Sequence, residues 1–101
     1  MRYAVLSEPG KIGIKRKPIP PIEPDKVLVK VKVCGLCGTD LLLYQEKFPV
    51  HYPYSPGHEY SGIAVKVGEK VRHIQSGDRV VVNPNHSCGS CWFCDNNQPH
   101  L

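Results

Sequence analysis

The chain has 101 residues and a mass of 11.3 kDa, room for one small domain. Its 41% hydrophobic content argues against wholesale disorder, and no apolar run approaches the ~20 residues that a membrane span needs. Thirteen Lys and Arg against nine Asp and Glu leave a charge of +4, and two Ala against twelve Val and six Ile tilt the composition towards strands.

Met1–Ser7 reads as a short apolar strand, Glu8–Pro9–Gly10 as a turn, and the alternating Ile12 and Ile14 as a second strand. The basic run Lys11–Lys17 fits the solvated edge of that hairpin, where Lys blunts edge-to-edge pairing. A nucleic-acid platform would interleave aromatic rings with the charges, and this run does not. Four prolines between Pro18 and Pro24 give an extended surface connection, because Pro has no N–H for a ladder or a helix. Val27–Val33 alternates with period two, Lys30 and Lys32 marking a polar face. Cys34–Gly38 breaks that strand, and Thr39 or Asp40 is placed to cap a short helix, Leu41–Glu46. Phe48–Gly57, with three prolines, is a loop; Tyr60–Val67 is another strand, and Gly77–Asp78 turns into a last one, Arg79–Val82. Residues 83–101 read as irregular and Cys-rich. Short strands punctuated by Gly and Pro predict a mainly β barrel or sandwich, with no repeat and no internal boundary.

The N-terminus lacks the layout of a signal peptide. The five cysteines fall in two clusters, Cys34 and Cys37, then Cys88, Cys91 and Cys94. An odd, clustered set in C-x-x-C spacing points to metal binding in a reducing, cytoplasmic setting more than to a disulfide framework. Cys88–Gly89–Ser90–Cys91–Trp92–Phe93–Cys94 is the more specific signal, since C-x2-C-x2-C lets three thiolates converge from one tight loop. Zinc and an iron–sulfur cluster both use such spacing, but Gln98 stands where a ferredoxin-type run needs its fourth Cys. Cys37, His58 and Glu59 offer a thiolate, an imidazole and a carboxylate, a borderline set suited to zinc. With His58 21 positions after Cys37, spacing alone leaves open a buried thiol and an ordinary loop histidine. No G-x-G-x-x-G and no G-x-x-x-x-G-K-[ST] occurs, so no dinucleotide or phosphate cradle is recognisable.

Gly35–Leu36–Cys37–Gly38–Thr39–Asp40, Gly57–His58–Glu59–Tyr60–Ser61–Gly62, Gly77–Asp78–Arg79–Val80 and the Cys88/Cys91/Cys94 run follow one another as in zinc-dependent medium-chain alcohol and polyol dehydrogenases. The whole chain resembles the N-terminal part of their GroES-like catalytic domain, including sorbitol- and threonine-dehydrogenase-like members. The resemblance implies a partly open β-barrel with a short helix and a Cys-rich zinc lobe over 83–101. It implies catalytic-zinc ligands at Cys37, His58 and Glu59, with Asp40 behind the ligand histidine. It implies Thr39 as the hydroxyl that takes the substrate's proton, and Cys88, Cys91 and Cys94 as three of four structural-zinc ligands. Cys34 has no ligand counterpart and is expected as a packed thiol, with Trp92 and Phe93 as packing of the lobe. Leu42 stands where many members carry a proton-relaying His; His51 is the candidate substitute. The family's fourth structural Cys would follow Leu101.

The reaction so implied is reversible oxidation of a small alcohol or polyol, zinc acting as Lewis acid and NAD(P)⁺ taking the hydride. The nucleotide would be held by a Rossmann domain that residues 1–101 lack. The chain is therefore expected to be a catalytic-domain portion, inactive alone and prone to homo-oligomerise through barrel edges, with no nucleic-acid or membrane partner. The alternative is a stand-alone zinc-binding or interaction module. Residues 83–101 contain no Lys or Arg, against a zinc-ribbon nucleic-acid binder. The choice between NAD and NADP, like the choice of alcohol, lies outside these motifs.

Overall fold

The computed structural model describes residues 1–100 and is mainly β. The elements run β1 (Arg2–Glu8), β2 (Lys11–Arg16), β3 (Val27–Cys34), α1 (Gly38–Tyr44), β4 (Tyr60–Val67), β5 (Arg79–Val81) and α2 (Trp92–Asp95). They form two open antiparallel sheets, a β1–β2 hairpin and a three-stranded sheet in the order β3–β4–β5.

The hairpin closes on Gly10 in the left-handed region, and β2 is exposed throughout, as its basic edge predicts. Val5 and Leu6 are both buried although adjacent, which a two-stranded ribbon alone would not produce. The cause is a second partner for β1: Leu6 and Tyr54 exchange backbone hydrogen bonds of 2.8 and 2.9 Å, and the Ser55 hydroxyl donates to Ala4 O at 2.9 Å. The Pro-rich loop 48–57 is thereby pinned to the hairpin. Its Tyr52 hydroxyl also donates to Leu43 O at 2.9 Å, and Gly10 N donates to Tyr44 O at 2.8 Å. Loop, hairpin and α1 thus form one unit, with Leu6 and Leu43 in its small core.

In the second sheet the valine–lysine alternation of β3 does not hold to its end. Val27–Val29 are half-buried, but Val31 and Val33 are exposed like Lys30 and Lys32. Gly35 N donates to Glu59 O at 2.7 Å and carries the β3–β4 pairing past the strand ends, bringing the 34–38 segment onto the 57–59 segment. Helix α1 begins earlier and ends earlier than Leu41–Glu46, and α2 is a single turn within the stretch expected to be irregular. No helix among the described residues is long and apolar enough to cross a membrane.

Candidate metal centres

Two groups of side chains have the makings of a metal centre, Cys37 with His58 and Glu59, and Cys88 with Cys91 and Cys94. In each, the donor atoms lie within 4.8 Å of one another. Zinc binds sulfur at about 2.3 Å and nitrogen or oxygen at about 2.0–2.2 Å, so two donors on one ion stand no more than about 4.6 Å apart. Both groups are therefore within a small side-chain movement of holding one ion. A thiolate, an imidazole and a carboxylate suit zinc with a position left over, and three thiolates suit a closed zinc site that lacks one ligand.

The first group is assembled by a helix cap. Cys37 has extended backbone, φ −108° and ψ 168°, and stands at the N-cap of α1. Thr39 N donates to its Sγ at 3.2 Å, while Cys37 N donates to Asp40 Oδ2 at 3.0 Å, a reciprocal capping box. The capping residue is thus Cys37 and not Thr39 or Asp40. Its sulfur thus meets a backbone N–H at the N-terminal end of the helix.

Asp40 is 9% exposed and joins the two halves of the site. Its Oδ2 holds the Cys37 end; its Oδ1 accepts from Gly57 N at 3.3 Å and lies 3.7 Å from His58 Nδ1. Two glycines make the close approach possible. Gly57 has φ +102°, and a Cβ there would stand 2.8 Å from Cys34 Sγ. A Cβ on Gly35 would meet Glu59 Oε2 at 3.0 Å. Cys34 is accordingly exposed and laid against Gly57, not the packed thiol expected. Thr39 is half-buried beside Cys37; Leu42 and His51 are exposed. Next to Cys37, between hairpin and α1, lies a cleft of about 220 Å³ lined by Leu6, Ile12, Leu36, Leu41 and Tyr44 among others.

The second group sits around α2. Cys91 is the N-cap and Cys94 lies in the single turn, their Sγ atoms 3.6 Å apart; Cys88 Sγ is 3.9 Å from that of Cys94. The backbone N–H of Ser90, and after it the side chain and N–H of Cys91, lower the Cys88 thiol to about 7. Trp92 and Phe93 do not pack the lobe. They meet edge to face at 5.4 Å, and Trp92 is 66% exposed. Leu101, the last residue of the lobe as expected from sequence, lies outside the described residues.

The structure brings together the donor atoms of Cys37, His58 and Glu59, and separately those of Cys88, Cys91 and Cys94. Sequence reading missed Cys37 as a cap and Gly57 as the residue that admits His58. The signal for the cap was present, since Cys37-x-x-Asp40 has the form of a capping box with sulfur in place of a hydroxyl.

Residues 23–101 match the alcohol dehydrogenase GroES-like domain family. The chain is 38% identical to D-arabinitol dehydrogenase 1 of Uromyces fabae, over 98% of this chain and 28% of that protein. It is 37% identical to a sorbitol dehydrogenase of Bombyx mori, over 97% of this chain and 29% of that one. Among solved structures it superposes on a protein assigned as a zinc-binding dehydrogenase from Sinorhizobium meliloti 1021, bound to NADP. The TM-score is 0.91 at 41% identity, covering 99% of this chain and 29% of the other. The chain thus spans under a third of the length of each relative.

Proposed function

This chain belongs to the alcohol dehydrogenase GroES-like domain family, and from that premise we propose that residues 1–101 form the N-terminal catalytic-domain portion of a zinc-dependent, NAD(P)-linked alcohol or polyol dehydrogenase. The observation that carries the reading is the convergence of Cys37, His58 and Glu59 within 4.8 Å from two separate segments, with Asp40 tying those segments together.

In this reading Cys37, His58 and Glu59 hold the catalytic zinc. The chemistry that zinc supplies when bound is Lewis acidity towards an alcohol oxygen. Asp40 orients His58 through Nδ1 and holds the Cys37 end of α1 at the same time. Thr39 Oγ1, on the first turn of α1 beside Cys37, accepts the substrate hydroxyl's proton and passes its own on. Leu42 offers no group to receive that proton, so its onward path runs through solvent or through His51. Cys88, Cys91 and Cys94 hold a structural zinc, completed by a fourth ligand from outside these three. The relatives named as arabinitol and sorbitol dehydrogenases support a small polyol or alcohol as the substrate class. The dinucleotide is held by residues outside 1–101, in keeping with the lack of a nucleotide-binding motif here and the greater length of the relatives.

Cobalt(II) exchange tests the ligand set without requiring turnover. The metal-stripped chain, titrated with cobalt(II), is expected to develop sulfur-to-cobalt charge transfer from two classes of site. Cys37→Ser is expected to remove one class and leave the other. Identical spectra for the two proteins would refute the assignment of Cys37.

A further inference from the structure

The thiols of Cys91 and Cys94 stand closer together than those of Cys88 and Cys94. Cys91 and Cys94 occupy the N-cap and third position of α2, where the spacing brings both side chains to one side of the turn, and their Sγ atoms are 3.6 Å apart. The turn is held by backbone bonds independent of the sulfurs, Asp95 N to Cys91 O at 3.0 Å and Asn97 N to Cys94 O at 3.2 Å. Both side chains are half-buried and Cys88 beside them is exposed, so small oxidants reach the cluster. The C-x-x-C pair outside this run, Cys34 and Cys37, is built differently. Cys37 Sγ takes the Thr39 N–H, whereas Cys34 Sγ lies against Gly57 and points to Gly35 O at 3.6 Å.

We propose that Cys91 and Cys94 are a redox-modification site that takes peroxides and closes to a disulfide. One thiolate attacks the peroxide O–O bond; an S–O bond forms, the O–O bond breaks, and hydroxide leaves with a proton as water. The second sulfur then attacks the first, forming the S–S bond and expelling the oxygen as a second water. The two sulfurs together lose two electrons, and one peroxide is reduced to two waters. Closing 3.6 Å to the about 2.05 Å of an S–S bond takes side-chain rotation within one turn. Bridging Cys88 instead means moving it across the Gly89–Ser90 turn, which Gly89 holds at φ +75°. Three sulfurs reduced to one free thiol no longer make a metal centre, so the same step would release any ion held there. The proposal itself does not rest on the metal reading.

The test uses the full chain treated with EDTA, given one equivalent of hydrogen peroxide and then iodoacetamide, and mapped by tandem mass spectrometry. Residues 80–101 contain no Lys or Arg, so trypsin releases the three cysteines in one peptide. The expected product lacks two hydrogens and carries one alkyl group, on Cys88, with Cys34 and Cys37 alkylated as in the untreated chain. Cys88→Ser is expected to form the same bridge with no alkyl group in that peptide. An alkyl group on Cys91 or Cys94, or three alkylated cysteines after peroxide, or sulfinic acid without a bridge, would overturn the proposal.

Discussion

Asp40 is the residue whose removal should be felt furthest. Its carboxylate serves Cys37 N and Gly57 N and faces His58, so it supports a helix start, a loop and an imidazole together. Losing a cap of this kind costs about 1 kcal/mol, and losing the group behind a metal-bound histidine costs about 10–100-fold in metal affinity. Asp40→Ala is therefore expected to lower stability modestly in urea unfolding of the metal-stripped chain. In competition with a chromophoric chelator it is expected to weaken one zinc by 10-fold or more. Unchanged zinc affinity would show that Asp40 acts only as a cap. In the lobe the Ser90 N–H is the main influence on the Cys88 thiol, lowering it to about 7.

At the scale of elements, the site exists because two junctions are pressed together, β3 into α1 and the loop into β4. Gly57 is the tightest point of that contact. Gly57→Ala puts a Cβ 2.8 Å from Cys34 Sγ at a φ of +102°, a strain of about 1–3 kcal/mol. The substitution is expected to lower the unfolding midpoint and to weaken metal binding at Cys37 and His58 without touching the Cys88 cluster. Equal stability would mean that the two junctions are not in register as described. Much of this was legible in the sequence. The five strands were found within one or two residues, because alternation and Pro or Gly punctuation mark them directly. Neither the pinning of β1 to Tyr54 nor the exposure of Val31 and Val33 was legible, since both depend on which surfaces meet. The residue types of both centres were readable, but only folding could show that His58 and Glu59 reach Cys37 across 21 positions. Helix α2 was missed because a four-residue turn has no period to read.

The whole molecule is broad and thin, with extents of 41 × 38 × 20 Å and a radius of gyration of 15.8 Å. A compact chain of this length has a radius of about 13 Å. Among the described residues only Val5, Leu6, Leu43 and Ala64 are buried hydrophobics, while Leu36 is 90% and Val81 83% exposed. Open sheet edges and apolar surface of this extent favour association. We therefore expect the 101-residue chain, expressed by itself, to form homo-oligomers or larger aggregates in light scattering. A monodisperse monomer across the micromolar range would contradict that expectation and favour the reading of a stand-alone module.

The central claim is that Cys37, His58 and Glu59 are one metal centre. Native mass spectrometry of freshly purified chain, with no metal added, measures it most directly. Bound zinc is expected, with one zinc fewer per chain in Cys37→Ser than in the parent. Zinc content unchanged by Cys37→Ser, or chain that carries no zinc and takes none up when it is supplied, would contradict it.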